Sequence, residues 1–194
     1  MIDYFELIQG YSSYLFNKSH AVAYSFTSML STCLKLYYPV EFYSAFLSMQ
    51  ATEDLLRYIP IIRKEGIDVK VPDINISNID FTPDGNNILF GLGSIKGVGE
   101  SSIPSIIENR PYISLEDALN KIGKKAFNKR VGEALIMSGA FDNYKTNRNE
   151  LLNEFHEIRK DKKIELLDVD AFNDEVIMDY EMQSLSCPVT CTPE

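Results

Sequence analysis

The residues with the most chemical content are Ile95-Lys96-Gly97-Val98-Gly99, followed by a helical run over 103–109. The pattern is apolar–x–Gly–x–Gly between two short helical stretches. Glycine takes positive φ at little cost, so the spacing predicts a tight turn whose amides face outward. Unpaired amides converging at a helix start bind phosphate oxygens. Lys96 would add a point charge beside them. The same pattern also serves turns that hold no ligand. A second candidate is Tyr14-Leu15-Phe16-Asn17-Lys18-Ser19-His20, a loop entering a helix with Lys18 and His20 at its positive end. It could hold a phosphate or triphosphate, or be a cap with an exposed lysine.

A looser copy of the first pattern follows. Residues 127–136 read as a helix with Lys124, Lys125, Lys129 and Arg130 at or before its start, and Met137-Ser138-Gly139-Ala140-Phe141 closes it. Basic residues at a helix start oppose the helix dipole, which favours a role facing a ligand. Two such units have the logic of tandem helix-hairpin-helix elements, which grip the DNA backbone without reading sequence. The expected DNA contacts are Lys96, Gly97, Val98 and Gly99 in the first unit, and Lys129, Arg130 and Gly139 in the second.

The elements that must position these residues are mostly helices. Val22, Ala23, Phe26, Met29, Leu30, Cys33, Leu34 and Tyr37 recur at helical spacing behind an N-cap at Ser19, with Cys33 on the apolar face. The tyrosines at 11, 24, 37, 38 and 43 read as packing residues. Pro39 ends that helix and suits the first turn of the next. A third helix runs over about 53–65, with Pro60 expected to kink or restart it and Gly66 to stop it. Over 67–90 short alternating runs flank Asp84-Gly85-Asn86-Asn87, which predicts a small β-hairpin or extended connector. An amphipathic helix from about 147 carries Leu151, Leu152, Phe155 and Ile158. An acidic stretch over 165–181 then reads as a solvated tail, with Asp168-Val169-Asp170 inside it and the mixed charge run 159–163 before it.

Composition sets the bounds. The 194 residues are 45% hydrophobic and 24% charged, which excludes a wholly disordered chain or a fibre. No run approaches the ~18 apolar residues of a membrane span, and no secretory leader is evident. Three cysteines, Cys33, Cys187 and Cys191, form no CxxC pair, so a cytoplasmic location is the expectation. His20 and His156 lie far apart and no metal-ligand spacing occurs, so no metal site is expected. The net charge of −9 is unevenly spread. Residues 91–148 hold nine Lys/Arg against six Asp/Glu, or +3, whereas 1–90 carry six against ten and 149–194 four against twelve. A basic centre between acidic flanks fits an anionic partner for the centre.

Several blocks in one order carry a resemblance. They are Phe16-Asn17-Lys18-Ser19-His20-Ala21, Tyr38-Pro39-Val40-Glu41-Phe42, Arg63-Lys64-Glu65-Gly66-Ile67 and Pro72-Asp73-Ile74-Asn75. To these add Gly91-Leu92-Gly93-Ser94-Ile95-Lys96-Gly97-Val98-Gly99-Glu100 and Ala134-Leu135-Ile136-Met137-Ser138-Gly139-Ala140-Phe141-Asp142. Together they resemble the C-family replicative polymerases, the alpha subunits of bacterial DNA polymerase III, over about residues 10–152. The resemblance implies the end of the fingers followed by a tandem helix-hairpin-helix module on duplex DNA. It implies that Tyr14 and His20 match nucleotide-contacting positions, with Lys18 between them. Leu15 departs from the glycine usual in the family. The family's palm aspartates, which hold two metal ions, have no counterpart here. Asp168-Val169-Asp170 falls in the wrong order to replace them.

The fold class expected is mainly α, with four parts. These are 1–66 as the end of the fingers, 67–90 as an extended or β connector, 91–146 as the hairpin module, and 147–194 as an acidic, partly disordered helical tail. The function expected is part of a DNA polymerase III alpha subunit, without catalytic residues of its own and inactive alone. Duplex primer–template DNA, a dNTP and a palm-bearing chain or remainder of the gene product would be its partners. Mg2+ would belong to the missing palm. The alternatives are a stand-alone DNA-binding module and a decayed fragment without function.

Overall fold

The computed structural model describes residues 18–160 and 166–191, together with Tyr4, Glu6 and Gln9. The chain forms two compact units, 1–42 and 43–194. This division does not follow the four parts expected from the sequence.

In the first unit, helix α1 (Lys18–Tyr37) forms over the predicted apolar spacing. Ser19 lies inside its first turn rather than at the cap. The helix buries none of its residues, and Phe26, Met29, Leu34 and Tyr37 are all more than half exposed. Cys33, Tyr24 and Tyr38 are exposed too, contrary to the packing role expected of them. Helical periodicity selects which residues share a face, but it does not supply a partner for that face. Pro39 opens helix α2 (Pro39–Ser48) one residue after α1 ends.

The second unit begins with the last part of α2, whose Tyr43, Ser44 and Leu47 are buried. A 3-10 turn (Thr52–Asp54) leads into helix α3 (Leu55–Lys64), which buries Leu55, Ile59 and Ile62 on one stripe. The helix runs through Pro60 without restarting. It ends where Gly66 turns to φ +83°: the Gly66 amide bonds the Arg63 carbonyl and the Ile67 amide bonds that of Ile62. That pair of bonds is the glycine-terminated stop that the sequence predicts.

The connector is more than a hairpin. Strands β2 (Thr82–Asp84) and β3 (Asn87–Leu89) pair antiparallel around the predicted turn, and β1 (Val69–Lys70) adds to β3 in parallel. The order is β1-β3-β2. Val69, Ile74, Phe81, Ile88, Leu89 and Phe90 are buried, whereas Ile76 and Ile79 stay exposed. This small sheet is therefore part of the core rather than a linker. Asn75 stitches it to the next segment, its amide donating to the Tyr112 carbonyl and the Tyr144 hydroxyl.

Beyond the sheet the chain is helical, and the whole is mainly α. Helices α4 (Ile103–Glu108), α5 (Leu115–Ile122), α6 (Lys129–Met137), α7 (Arg148–Arg159) and α8 (Asp174–Ser184) follow in order. Four of them, α5 to α8, start at a Ser or Asn whose side chain accepts an amide of the first turn. α7 begins at the predicted Asn147 and packs on α6, where Phe127, Phe141 and Phe155 meet edge to face.

The acidic end is not a solvated tail. Asp168 and Asp170 are exposed, as expected, but α8 packs against α6. Glu181, Ser184, Leu185, Cys187 and Val189 are buried. Arg159, placed in the solvated charge run by the sequence, donates to the Phe127 carbonyl and stacks over Phe155. Residues 161–163 of that run lie outside the described residues.

Candidate nucleic-acid interface

The first hairpin is preceded by a 3-10 turn (Leu92–Ser94) rather than by a helix. Ile95 and Val98 are buried and hold the turn down from both sides. Between them Gly97 sits at φ +100°, a conformation side chains resist. A Cβ there would also stand 3.1 Å from that of Ala134 and 3.6 Å from the Arg130 side chain, both on α6. Gly99 differs from the expectation. It has no positive φ, and a Cβ on it would meet only the Ser101 hydroxyl at 3.9 Å.

Some of the turn's amides are left without a protein acceptor, as the sequence predicts: among the described residues none takes the amides of Gly97, Gly99 or Glu100. The Lys96 amide donates to the Ser184 carbonyl at 2.7 Å, at the end of α8, and the Val98 amide to the Ile95 carbonyl at 3.1 Å. Val98, buried and with its amide taken, therefore does not offer the DNA contact expected of it. The Lys96 side chain is exposed. Lys96, Gly97, Arg130, Glu133, Ala134, Met137, Gln183 and Ser184 line one open concavity of about 260 Å³. Lys96, Gly97 and Arg130 thus come together from sequence positions more than 30 apart. Lys129 is next to them in sequence and faces Glu133 at 3.8 Å. Glu133 also meets the His156 imidazole at 3.4 Å.

The second predicted turn behaves differently. Gly139 does take positive φ, at +87°. Its amide, however, is consumed by the Ile136 carbonyl, and the next amide by that of Leu135. These bonds end α6 as Gly66 ends α3. Gly139 is buried, and a Cβ there would lie 2.5 Å from Arg148 Nη2 and 2.8 Å from Asp142 Oδ2. It therefore has no amide to offer a phosphate, and its predicted DNA contact is withdrawn. The exposed basic turn is the one between α5 and α6, with Gly123 at φ +82° followed by Lys124 and Lys125.

Sequence reasoning missed the cluster behind both turns. Arg148, 1% exposed, forks onto Asp142 at 2.7 and 3.0 Å, donates to the Met137 carbonyl at 3.0 Å and reaches Glu181 at 3.2 Å. Burial pushes the Asp142 carboxyl pKa up; Arg148 opposes this and Glu181 adds to it. Burial pulls on the Arg148 guanidinium, but the two carboxylates more than offset it and raise its pKa. The signal in the sequence was faint. Only the Asp142–Arg148 spacing after Gly139 and the apolar Leu185, Cys187 and Val189 hinted that the tail packs.

At the other predicted site, Lys18 and His20 are exposed in the first turn of α1. Lys18 lines a shallow concavity with Val22, Phe26 and Met29, whereas His20 lines another with Tyr24 and Ser28. The His20 ring lies 4.3 Å from that of Tyr24. The structure does not bring Lys18 and His20 to one concavity. Tyr14 lies outside the described residues.

Comparison with known proteins agrees with the hairpin geometry. A helix-hairpin-helix motif family matches residues 66–151, which span the small sheet and both turns. The DNA polymerase III alpha subunit of Thermus aquaticus is 41% identical over 144 residues, 71% of this chain. Those of Aquifex aeolicus and Deinococcus radiodurans are 41% and 37% identical over 76% and 81% of it. The chain is similar to the alpha subunit of DNA polymerase III. It spans only 12–13% of the length of these curated relatives. Likeness to the DNA polymerase III alpha subunits covers both the helix-hairpin-helix segment and residues outside it, since the matched lengths exceed the motif.

Proposed function

We propose that this chain serves a DNA polymerase III alpha subunit by gripping the backbone of primer–template duplex through its first hairpin. The observation that carries this reading is the meeting of Lys96, Gly97 and Arg130 at one open concavity, with the amides of Gly97 and Gly99 left without an acceptor among the described residues. Unpaired amides and two cations converging on one spot suit a phosphate diester, a contact that positions the duplex without reading its sequence. Lys124 and Lys125, exposed in the turn before α6, would add further phosphate contacts. Lys18 and His20 would meet the triphosphate of an incoming dNTP once the rest of the polymerase shapes their loop.

Nucleotide transfer itself is assigned to a palm-bearing chain or to the remainder of the same gene product, which would hold Mg2+. The described residues contain no group of three His, Cys, Asp or Glu side chains able to hold a metal ion. No catalytic step is assigned to them.

The test is fluorescence anisotropy of a labelled primer–template duplex titrated with the chain at several salt concentrations. Binding that is indifferent to sequence and falls steeply with salt is expected, since each neutralised phosphate releases counterions. Absence of binding at low salt would overturn the grip. Binding without any stimulation of a palm-bearing polymerase chain would instead favour a stand-alone DNA-binding module.

A further inference from the structure

The last turn of α8 closes a ring of contacts around the first hairpin. Arg130 and Ala134 of α6 wall Gly97. The end of α6, through the Met137 carbonyl, is held by Arg148, and Arg148 is held by Glu181 of α8. One turn further along α8, the Ser184 carbonyl takes the Lys96 amide and returns the ring to the hairpin. We infer that Glu181 is a positioning residue for the grip: buried away from any DNA, it fixes the conformation of the Lys96–Gly97 turn through α8. This rests on the reading of that turn as a phosphate-binding site.

The role explains an otherwise costly burial. Glu181 is 0% exposed, whereas Asp174, Glu175 and Asp179 on the same helix are in water. A carboxylate withdrawn from water survives only with its oxygens fully engaged. Both are. Oε1 accepts from Arg148 and from the Thr190 hydroxyl, and Oε2 accepts from the amides of Val189 and Thr190. The carboxylate therefore folds the segment after α8 back on itself, past Ser186 at φ +64°, and joins it to α6 and α7. With that joint made, the Ser184 carbonyl has a fixed place from which to hold Lys96.

The experiment compares the 194-residue chain with its Glu181→Gln variant by amide hydrogen exchange and by duplex anisotropy. Glutamine keeps the shape but sets an NH2 group where one carboxylate oxygen accepted, so one pair of donors loses its acceptor. Exchange at Lys96 is expected to quicken about tenfold or more, while the α6 amides of Leu135 and Ile136 stay slow. Duplex affinity should drop roughly fivefold with the salt slope unchanged, because Lys96 and Arg130 still neutralise their phosphates. A variant that had lost a DNA contact would lower that slope. Unchanged exchange at Lys96 would overturn the inference, and so would faster exchange with unaltered affinity. Should Glu181→Gln also unprotect α6, Thr190→Val decides by the same two readings, since it leaves the Arg148 pair in place. If the unaltered chain binds no duplex, the grip reading fails, and the exchange at Lys96 alone decides whether Glu181 positions the turn.

Discussion

The turns at Gly97 and Gly139 begin with the same apolar–x–Gly pattern and reach the same backbone sign, φ +100° and +87°. They end with opposite fates. At the first turn the amides of Gly97 and Gly99 meet no acceptor among the described residues, and two cations line a concavity with Gly97. At Gly139 the amides close the end of α6 and the glycine is sealed under Arg148 and Asp142. A glycine pattern therefore specifies the turn, and the neighbouring elements decide whether the turn binds a ligand or finishes a helix.

That difference is sharpest in what a methyl group would do. Gly139→Ala should cost roughly 3 kcal/mol or more, because positive φ alone costs 1–3 and the new Cβ would press into a buried ion pair. Urea denaturation measures it, and any loss of DNA binding should follow from unfolding only. Gly97→Ala should cost about 1–2 kcal/mol, since its nearest neighbour is the Ala134 methyl at 3.1 Å rather than a charged group. Duplex binding should fall at least tenfold while the chain is still folded. A Gly139 variant that stays folded and loses DNA binding would erase the distinction between the turns.

The comparison also marks how much could be read from the sequence. Helix positions, the stops at Gly66 and Pro39, the β-hairpin at 84–87 and the Lys96–Gly97 turn were legible, because each depends on local chemistry: a cap, a missing N–H, a positive φ. The parallel strand β1, the fate of Gly139 and the packed tail were not. Each depends on a partner distant in the chain: Ile88 for Val69, Arg148 for Gly139, Arg148 again for Glu181. The face of α1 shows the same limit from the other side, since Phe26, Met29 and Leu34 have helical spacing and remain exposed. Arg130 fell into the predicted site for a local reason, its place at the start of α6. That it faces Gly97 is tertiary.

The helix that follows the first turn and the turn at Gly139 are held by groups with different proton chemistry. In α4, the Ile106 carbonyl accepts from the Tyr112 hydroxyl at 2.6 Å. Burial pushes its pKa up to about 12, with Arg110 opposing. In the unfolded chain a tyrosine ionises near 10. The native state thus holds its proton longer, and the stability from this group is full below about pH 10 and lost as pH rises from 10 to 12. Arg148, the anchor of the second turn, has its pKa raised and stays charged over that range. Urea midpoints between pH 9 and 11 should fall for the unaltered chain. The fall should be shallower for Tyr112→Phe, which loses about 1 kcal/mol at neutral pH. Tyr144 and Tyr180 shift in the same direction, so the variant removes a part of the slope rather than all of it.

The smallest effect on stability and the most direct test of the first turn come from its cations. Lys96→Ala and Arg130→Ala should each leave the urea midpoint nearly unchanged, within about 0.5 kcal/mol, because both side chains are exposed. Each should weaken duplex binding evenly across sequences and lower the salt slope by about one. If both reach phosphates of one duplex, the double variant should lose close to two, with the affinity losses adding. A shared phosphate would instead give a combined loss near that of either single change, since the second cation would have no further counterion to release. The 3.6 Å approach of the Arg130 side chain to the Gly97 position makes this a real alternative in geometry. The double variant therefore reports whether the hairpin turn holds one phosphate between two cations or spans two along the strand.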